Sequence, residues 1–134
     1  YYEREMGSGL LRYFLLFKSL RARGQLPSVK LITNKLEMNT SREGKRTINI
    51  DPGYINLEQI ILATTKGYTH RIYLGQGIYA DLTLIYTGGS FAPLPWTYPD
   101  YGGPKIISML NRWREKYRAN LRGEFLHEKS PRVK

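Results

Sequence analysis

The strongest constraint on the fold is a pair of β-strand patterns joined by a short glycine turn. Residues 69–74 and 78–86 are rich in β-branched and aromatic side chains, and Gly75-Gln76-Gly77 lies between them. Because glycine adopts positive φ angles without steric cost, this spacing predicts a β-hairpin. The register of that hairpin then decides which side chains of the two strands meet.

Three ionisable side chains lie on this hairpin, where a structural strand would carry apolar or neutral ones. A two-residue turn places His70 opposite Asp81, whereas a three-residue turn places Arg71 opposite Asp81. A His–Asp pair orients an imidazole as a general base. An Arg–Asp pair either is a structural ion pair or leaves guanidinium N–H groups for a phosphate. For His70 and Asp81 alike, a purely structural hydrogen bond is the alternative.

The N-terminal part of the chain predicts a hairpin followed by a helix. Residues 1–18 turn at Gly7-Ser8-Gly9, and the second strand of this hairpin is apolar on both faces, as a central strand is. A basic connection over residues 19–25 follows. Pro27 then suits the first turn of a helix, whose apolar face we expect to carry Val29, Ile32 and Leu36.

The middle of the chain predicts a strand, a turn and a second helix. Residues 47–51 alternate as a strand does, and Asp51-Pro52-Gly53 is typical of a turn. Asn56 is a helix N-cap candidate with Gln59 three residues later, which is a capping-box pattern. We therefore expect a helix from this point to Gly67, where glycine ends it.

The C-terminal part predicts an irregular segment and a long helix. The proline density of residues 91–104 excludes a regular helix or a central strand. Residues 105–122 carry an apolar stripe at helical spacing, made of Ile106, Leu110, Trp113, Tyr117 and Leu121. We expect residues 1–122 to form one domain and residues 123–134 to be a polar tail.

These patterns together predict an α+β fold in which helices pack on an antiparallel sheet. The order is strand, strand, helix, strand, helix, hairpin, helix. If a further strand and helix precede Tyr1, the first part has the ferredoxin-like βαββαβ order, and the C-terminal hairpin and helix are added to it.

Composition narrows the function classes. The 134 residues carry a formal net charge of +10, which favours an anionic ligand such as a nucleotide, a phosphorylated metabolite or RNA; a protein that is simply basic is the alternative. The sequence contains no cysteine, which excludes disulfides and thiolate metal sites. With no signal-peptide pattern and no apolar run near ~20 residues, we expect a cytoplasmic protein without a membrane partner. The sequence leaves a homo-oligomer possible and names no cofactor.

Four segments resemble a known family. They are YYEREMG at residues 1–7, NIDPGY at 49–54, ATTK at 63–66 through YA at 79–80, and LPWTYPDY at 94–101. They resemble a family of short bacterial proteins, the domain-of-unknown-function family 4416. The resemblance implies a strand and a helix before Tyr1, and some members carry a GTP-binding label. This sequence has no GxxxxGK[ST] phosphate loop, so its motifs give that label no support.

Asp51 is a further catalytic candidate, because carboxylates at strand ends often point into clefts. A role in the turn alone is the alternative. Together with His70 and Asp81 it supplies metal-ligand types, but the spacing is not diagnostic of a metal site. We predict no metal.

Three ligand-binding candidates lie near the expected second helix. Thr65 and Lys66 resemble a small anion-binding loop, with a hydroxyl and an ammonium on a flexible backbone. The expected helix C-terminus there repels anions, so Lys66 is equally explained as compensation of the helix dipole. Tyr54 follows the Asp51 turn and is the third candidate.

Two more ligand-binding candidates lie in the proline-rich segment. Tyr98 can stack on a base, and Asp100 can accept a hydrogen bond from a base edge. The alternative is a loop that covers a sheet edge or the core with Trp96 and Tyr98.

Two functions fit these residues. The first is binding or processing of a phosphate-bearing small molecule such as a nucleotide, in a cleft formed by Asp51, His70, Arg71 and Asp81. The second is a noncatalytic RNA- or ribosome-associated module that contacts phosphates through Arg21, Arg23, Arg112, Lys116 and Arg122. We favour the first, since ionisable residues within strands are harder to explain than surface cations. The sequence does not decide whether the protein is an enzyme.

Overall fold

The computed structural model describes residues 11–123, which form a five-stranded antiparallel sheet with helices on both faces. The elements in chain order are a 3₁₀ turn Arg23–Gln25, α1 Leu26–Asn39, β1 Gly53–Ile55, β2 Gln59–Thr64, β3 Arg71–Gly75, β4 Ile78–Thr87, β5 Ser90–Pro93, α2 Pro99–Gly102 and α3 Pro104–Leu121. The strand order is β1-β2-β4-β3, and β5 also pairs with β4. The predicted α+β class is confirmed. No helix within residues 11–123 has the length and apolar character that crossing a membrane requires.

Two adjacent residues of β2 assign the two long helices to opposite faces of the sheet. Ile61 belongs to a buried cluster with Leu26 of α1, and Ile60 to a second cluster with Leu110 of α3. Successive side chains of a strand point to opposite faces. The sheet is therefore the middle layer, with α1 on one side and α3 on the other.

β4 contains a bulge at Thr83, and this bulge shapes the site described below. Ile61 pairs with Leu82 and Ile60 pairs with Leu84, so β4 carries one extra residue between them. On its other edge, β4 pairs with β3 up to Asp81 and with β5 from Leu84 onwards. Leu82 and Thr83 therefore pair with neither β3 nor β5. Bulges of this kind change the direction in which nearby side chains point.

The predicted glycine hairpin and the long C-terminal helix are confirmed as β3–β4 and α3. The register places Arg71 directly opposite Asp81, as the three-residue-turn alternative predicted. The turn itself is shorter, because Gly75 already pairs with Ile78 and the register is restored by a bulge at Leu74. The two turn residues, Gln76 and Gly77, both have positive φ angles. Within the proline-rich segment, Ser90–Pro93 is an edge strand and Pro99–Gly102 a single helical turn.

The helix expected between Asn56 and Gly67 is wrong, because Gln59–Thr64 is strand β2. The Asn56 carboxamide oxygen does accept from the backbone N–H groups of Glu58 and Gln59, at 2.9 and 2.7 Å. These bonds close the turn between β1 and β2 instead of opening a helix, since Asx turns and N-caps use the same acceptor geometry. The ferredoxin-like order depended on this helix and loses its support.

Two predicted strands are also absent from the described residues. Residues 47–51 form no strand, because the backbone N–H of Ile50 donates to the Glu37 carboxylate of α1 at 2.6 Å instead of to a neighbouring strand. Residues 11–17 form no strand either, and their outward side chains are exposed. The rest of the predicted N-terminal hairpin, residues 1–10, and the tail from residue 124 lie outside the described residues.

Helix α1 is confirmed, but its buried face is not the predicted one. Ile32 and Leu36 are 68% and 47% exposed, whereas Lys30 and Glu37 are buried. Glu37 is buried because its carboxylate accepts the Ile50 N–H, and buried charges are retained where they are hydrogen-bonded.

Candidate functional site

Asp81 is the centre of a half-buried polar cluster on β4. Its Oδ2 atom accepts from Nε of Arg71 at 2.8 Å and lies 3.0 Å from Nε2 of His70. The Thr83 hydroxyl lies 3.1 Å from Oδ1. The three charged or ionisable side chains are only 11–13% exposed. The sequence left open whether His70 or Arg71 meets Asp81, and the structure brings both to one carboxylate oxygen.

The imidazole of His70 also contacts two aromatic rings. The indole of Trp96 stacks on it, with ring centroids 4.6 Å apart and an interplanar angle of 18°. Tyr68 meets it edge-on at 5.7 Å. With Nε2 directed at a carboxylate, the favoured neutral tautomer carries its proton on Nε2 and its lone pair on Nδ1. Among the described residues, Nδ1 has no hydrogen-bond partner.

Trp96 and Thr97 cross the part of β4 that β3 and β5 leave uncovered. The Trp96 indole N–H donates to the Leu82 carbonyl at 2.6 Å, and the Thr97 hydroxyl donates to the Thr83 carbonyl at 2.6 Å. The Thr97 hydroxyl oxygen in turn accepts from the Leu94 N–H at 2.8 Å. These contacts satisfy the backbone at the bulge, and they fix the residue that stacks on His70.

A pocket of about 260 Å³ opens beside His70 and Trp96. Its floor is apolar sheet surface with a few polar groups at the rim, and its lining includes Gln59, Ile61, Thr69, Ile72, Ala80 and Leu82. This volume is just below the ~300 Å³ at which pockets for drug-sized ligands begin. It therefore admits one ring with a short substituent, and the rest of a larger ligand would lie outside it.

The loop between β2 and β3 borders this cluster and is basic. The Lys66 carbonyl accepts from Nη1 of Arg71 at 3.0 Å, which ties the loop to the cluster. Thr65 and Lys66 are exposed. Because this segment follows a strand and not a helix, no helix dipole opposes an anion here. Asp81 is the acidic member of the cluster, and Arg71 balances its charge.

The other predicted site residues are not part of the Asp81 cluster. Asp51 is exposed and accepts from the Asn49 amide at 3.2 Å, before β1, which pairs with β2 and not with β4. Tyr54 pairs with Ile61, a residue of the pocket lining, and packs against the buried cluster around Leu26. Asp100 forms an ion pair with Arg12 at 2.7 Å, and Tyr98 is 63% exposed.

The basic residues of the RNA alternative are divided between different parts of the molecule. Arg23 lies over the ring of Tyr54 at 5.8 Å, beside the cluster that α1 covers. Arg112 and Lys116 are exposed on α3, which packs on the opposite face of the sheet. Arg21 and Arg122 are exposed near the start of α1 and the end of α3. A phosphate backbone needs cations along one continuous surface, which these five do not form.

Within residues 11–123, no group of three His, Cys, Asp or Glu side chains is placed to hold a metal ion. What the cluster offers is an oriented imidazole at a pocket rim. An imidazole nitrogen in this position can accept a proton or a hydrogen bond from a ligand.

Sequence reasoning did not select Trp96 or Thr97 as site residues, nor Thr83. The side chains of Trp96 and Thr97 donate hydrogen bonds to backbone carbonyls at the bulge in β4. No residue pattern in the sequence predicts this bulge. The one available signal was Trp96 itself, an aromatic side chain in a proline-rich segment.

Comparisons with known proteins agree with the resemblance of the four segments. Residues 1–117 match the family model described as Domain of unknown function (DUF4416). No match was found among curated proteins or among solved structures. The cluster around Asp81, the pocket and Trp96 all lie within the matched residues.

Proposed function

The chain belongs to the DUF4416 family, and we propose that it binds a phosphate-bearing small molecule, such as a nucleotide, at the pocket beside His70. The observation that carries the proposal is the orientation of His70: its Nε2 is bonded to Asp81 and its ring is stacked on Trp96, while the pocket opens next to it. Holding an imidazole in one orientation at a pocket rim prepares it for a directional contact with a ligand.

The pocket volume and the loop between β2 and β3 together indicate which part of the ligand each would contact. The apolar floor takes a flat ring, which leaves the phosphate outside, over the loop that carries Lys66 and Thr65. The ammonium of Lys66 supplies positive charge for a phosphate there. The overall charge of +10 increases the local concentration of any such anion.

Asp81 and Arg71 support the ligand indirectly in this arrangement. The Arg71 guanidinium already bonds Asp81 and the Lys66 carbonyl, so its role is to hold the carboxylate and the loop in place. Whether His70 also transfers a proton depends on the ligand, and binding is the function proposed.

The test is thermal unfolding of the full chain with nucleoside monophosphates, phosphorylated sugars, inorganic phosphate and a short single-stranded RNA, at low and high salt. A ligand at 100 times its dissociation constant stabilises a protein by ~2.7 kcal/mol. We expect a shift from a small phosphate ligand that persists at high salt. Calorimetric titration should then show at least a ~10-fold weaker affinity for His70→Ala and Trp96→Ala, a change of about 1.4 kcal/mol.

Two control variants separate this site from general electrostatics. Arg112→Ala removes an exposed cation on the opposite face of the sheet, and Asp100→Asn alters an ion pair away from the pocket. Both should bind as the wild type does. The proposal is wrong if no small phosphate ligand shifts the unfolding temperature, or if His70→Ala and Trp96→Ala bind normally. A shift with RNA alone that disappears in salt would favour the RNA-binding alternative.

A further inference from the structure

The segment of residues 11–17 carries several highly exposed apolar side chains. Its odd-numbered side chains form a strip of four, with exposures of 79% for Leu11, 77% for Tyr13, 76% for Leu15 and 82% for Phe17. Phe14 is half-buried and Leu16 is 37% exposed, so exposure within residues 13–17 alternates with the period of an extended chain. Soluble monomers rarely leave such a contiguous row of large apolar side chains in water.

The inner side of the segment is anchored to the body of the protein, which fixes the direction of the strip. Arg12 forms an ion pair with Asp100 at 2.7 Å, and Phe14 meets the ring of Tyr101 edge-on at 5.8 Å. Tyr101 is itself buried. Because Phe14 packs on a buried ring, the odd-numbered side chains of this segment point away from the body of the protein.

We propose that this strip is the contact surface of a homodimer, in which residues 11–17 of two copies pack face to face around a twofold axis at position 14. From residue 11 to residue 17 the strip reads Leu, Tyr, Leu, Phe, and a second copy running in the opposite direction presents Phe, Leu, Tyr, Leu. The antiparallel arrangement therefore places Leu11 against Phe17 of the other copy and Tyr13 against Leu15. Every contact then joins an aromatic to an aliphatic side chain, as facing layers of a packed core do.

The available area agrees with a dimer of modest affinity. At roughly 150–200 Å² for a large side chain, four at 76–82% exposure offer at most about 450–650 Å² per copy. The total of about 900–1,300 Å² is at the lower end for specific interfaces. A strand paired alongside residues 11–17 would leave this surface uncovered, because side chains stand perpendicular to a sheet.

Charge gives the dimer a distinctive salt dependence. Each copy carries +10, and Arg12 on the inner side is neutralised by Asp100. Salt screens the repulsion between the two copies and does not weaken apolar contacts. We therefore expect tighter association at higher salt, which is opposite to the behaviour of an RNA complex.

The experiment is sedimentation velocity of the full chain across a concentration series. We expect a monomer–dimer equilibrium, weakened on the order of tenfold or more by Leu15→Glu, since a buried unpaired charge opposes association. Ile32→Glu places the same charge on another exposed apolar residue, 68% exposed on α1, and should leave the equilibrium unchanged. Circular dichroism and thermal unfolding verify that both variants fold.

A charge-pair experiment tests the register. Tyr13→Glu and Leu15→Lys each weaken the dimer alone, but in the twofold arrangement the double variant places opposite charges against each other, so association should recover in part. The proposal is overturned if the wild type is monomeric at all concentrations, if Ile32→Glu and not Leu15→Glu dissociates the dimer, or if the double variant recovers nothing. A monomer that instead binds anionic lipid vesicles through Leu15 also overturns it and assigns the strip to a membrane surface.

Discussion

The indole N–H of Trp96 donates to the Leu82 carbonyl at 2.6 Å, at the one stretch of β4 that its edge neighbours leave uncovered. The same indole stacks on His70. A backbone irregularity in the sheet is thus satisfied by the side chain that also orients the candidate ligand-binding imidazole. A substitution of Trp96 should therefore affect both the stability of the fold and the orientation of His70, which leads to the first prediction.

Trp96→Phe should separate the two roles of Trp96. Phenylalanine keeps a ring over His70 but cannot donate to Leu82, so we expect a loss of about 1 kcal/mol in unfolding free energy. Trp96→Ala removes the ring as well and should cost about 2–3 kcal/mol, since Trp96 remains 38% exposed. Urea unfolding measures both. Equal losses in the two variants would show that the hydrogen bond, and not the stacking, matters here.

Asp81→Ala should be among the most destabilising polar substitutions. It leaves Arg71, whose side chain is 13% exposed, without its carboxylate, and uncompensated buried charges are costly. We expect a loss of about 2–4 kcal/mol in chemical unfolding.

Asp100→Ala is the matched control for Asp81→Ala. The Arg12–Asp100 pair is equally short, but its side chains are 43% and 53% exposed, and exposed pairs contribute less than about 1 kcal/mol. Similar losses at Asp81 and Asp100 would contradict the central role of the cluster.

Asn56→Ala should destabilise the turn between β1 and β2 by about 1–2 kcal/mol. The substitution removes one oxygen that accepts from two backbone N–H groups, those of Glu58 and Gln59, and unsatisfied donors are costly where they are partly buried. Asn56→Asp keeps the acceptor and should restore most of this stability. Thermal unfolding of the three proteins measures the difference, and an Asp variant as weak as the Ala variant would argue against the acceptor role.

Gly53→Ala should disrupt the pairing of β1 with β2. A β-carbon at Gly53 would overlap the backbone carbonyl of Ile61 and crowd the Leu62 side chain, so the strands must separate locally. We expect a loss of at least about 2 kcal/mol, as for other overpacked sites. Gly24→Ala is the control, because nothing lies within 4 Å of a β-carbon there, and it should be neutral or slightly stabilising. Native-state hydrogen exchange would show whether the effect is confined to β1 and β2.

The β3–β4 hairpin shows how much of the structure the local sequence pattern predicts. Gly75 and Gly77 adopt positive φ angles, which glycine tolerates best, so turn and strands could be read from the sequence. Its register could be narrowed to two alternatives but not chosen. The observed hairpin combines a two-residue turn with a bulge at Leu74, which restores the Arg71–Asp81 pairing and which the sequence pattern does not mark. The α3 stripe is a similar case, because a long amphipathic pattern at helical spacing has few competing structures.

The second predicted helix failed for an equally specific reason. The pattern around Asn56 and Gln59 fits a helix start and an Asx turn alike, and the apolar run Ile60-Ile61-Leu62-Ala63 is compatible with a buried helix segment or a buried strand. β2 pairs with β1 along one edge and with β4 along the other, and this pairing favours a strand over a helix. The apolar face of α1 was misassigned for a related reason, because burial of Glu37 follows from its bond to Ile50, thirteen residues away.

The sequence by itself determined the α+β class, the glycine hairpin, the long C-terminal helix and the concentration of ionisable side chains on β3 and β4. These are short-range properties, set by backbone φ preferences and by the spacing of apolar residues. Only the tertiary structure decided that His70 and Arg71 share one oxygen of Asp81, that Asp51 lies elsewhere, and that Trp96 stacks on His70. The contacts of Asp81 and of Trp96 join residues ten or more positions apart in the chain, and strand pairing and packing alone fix them.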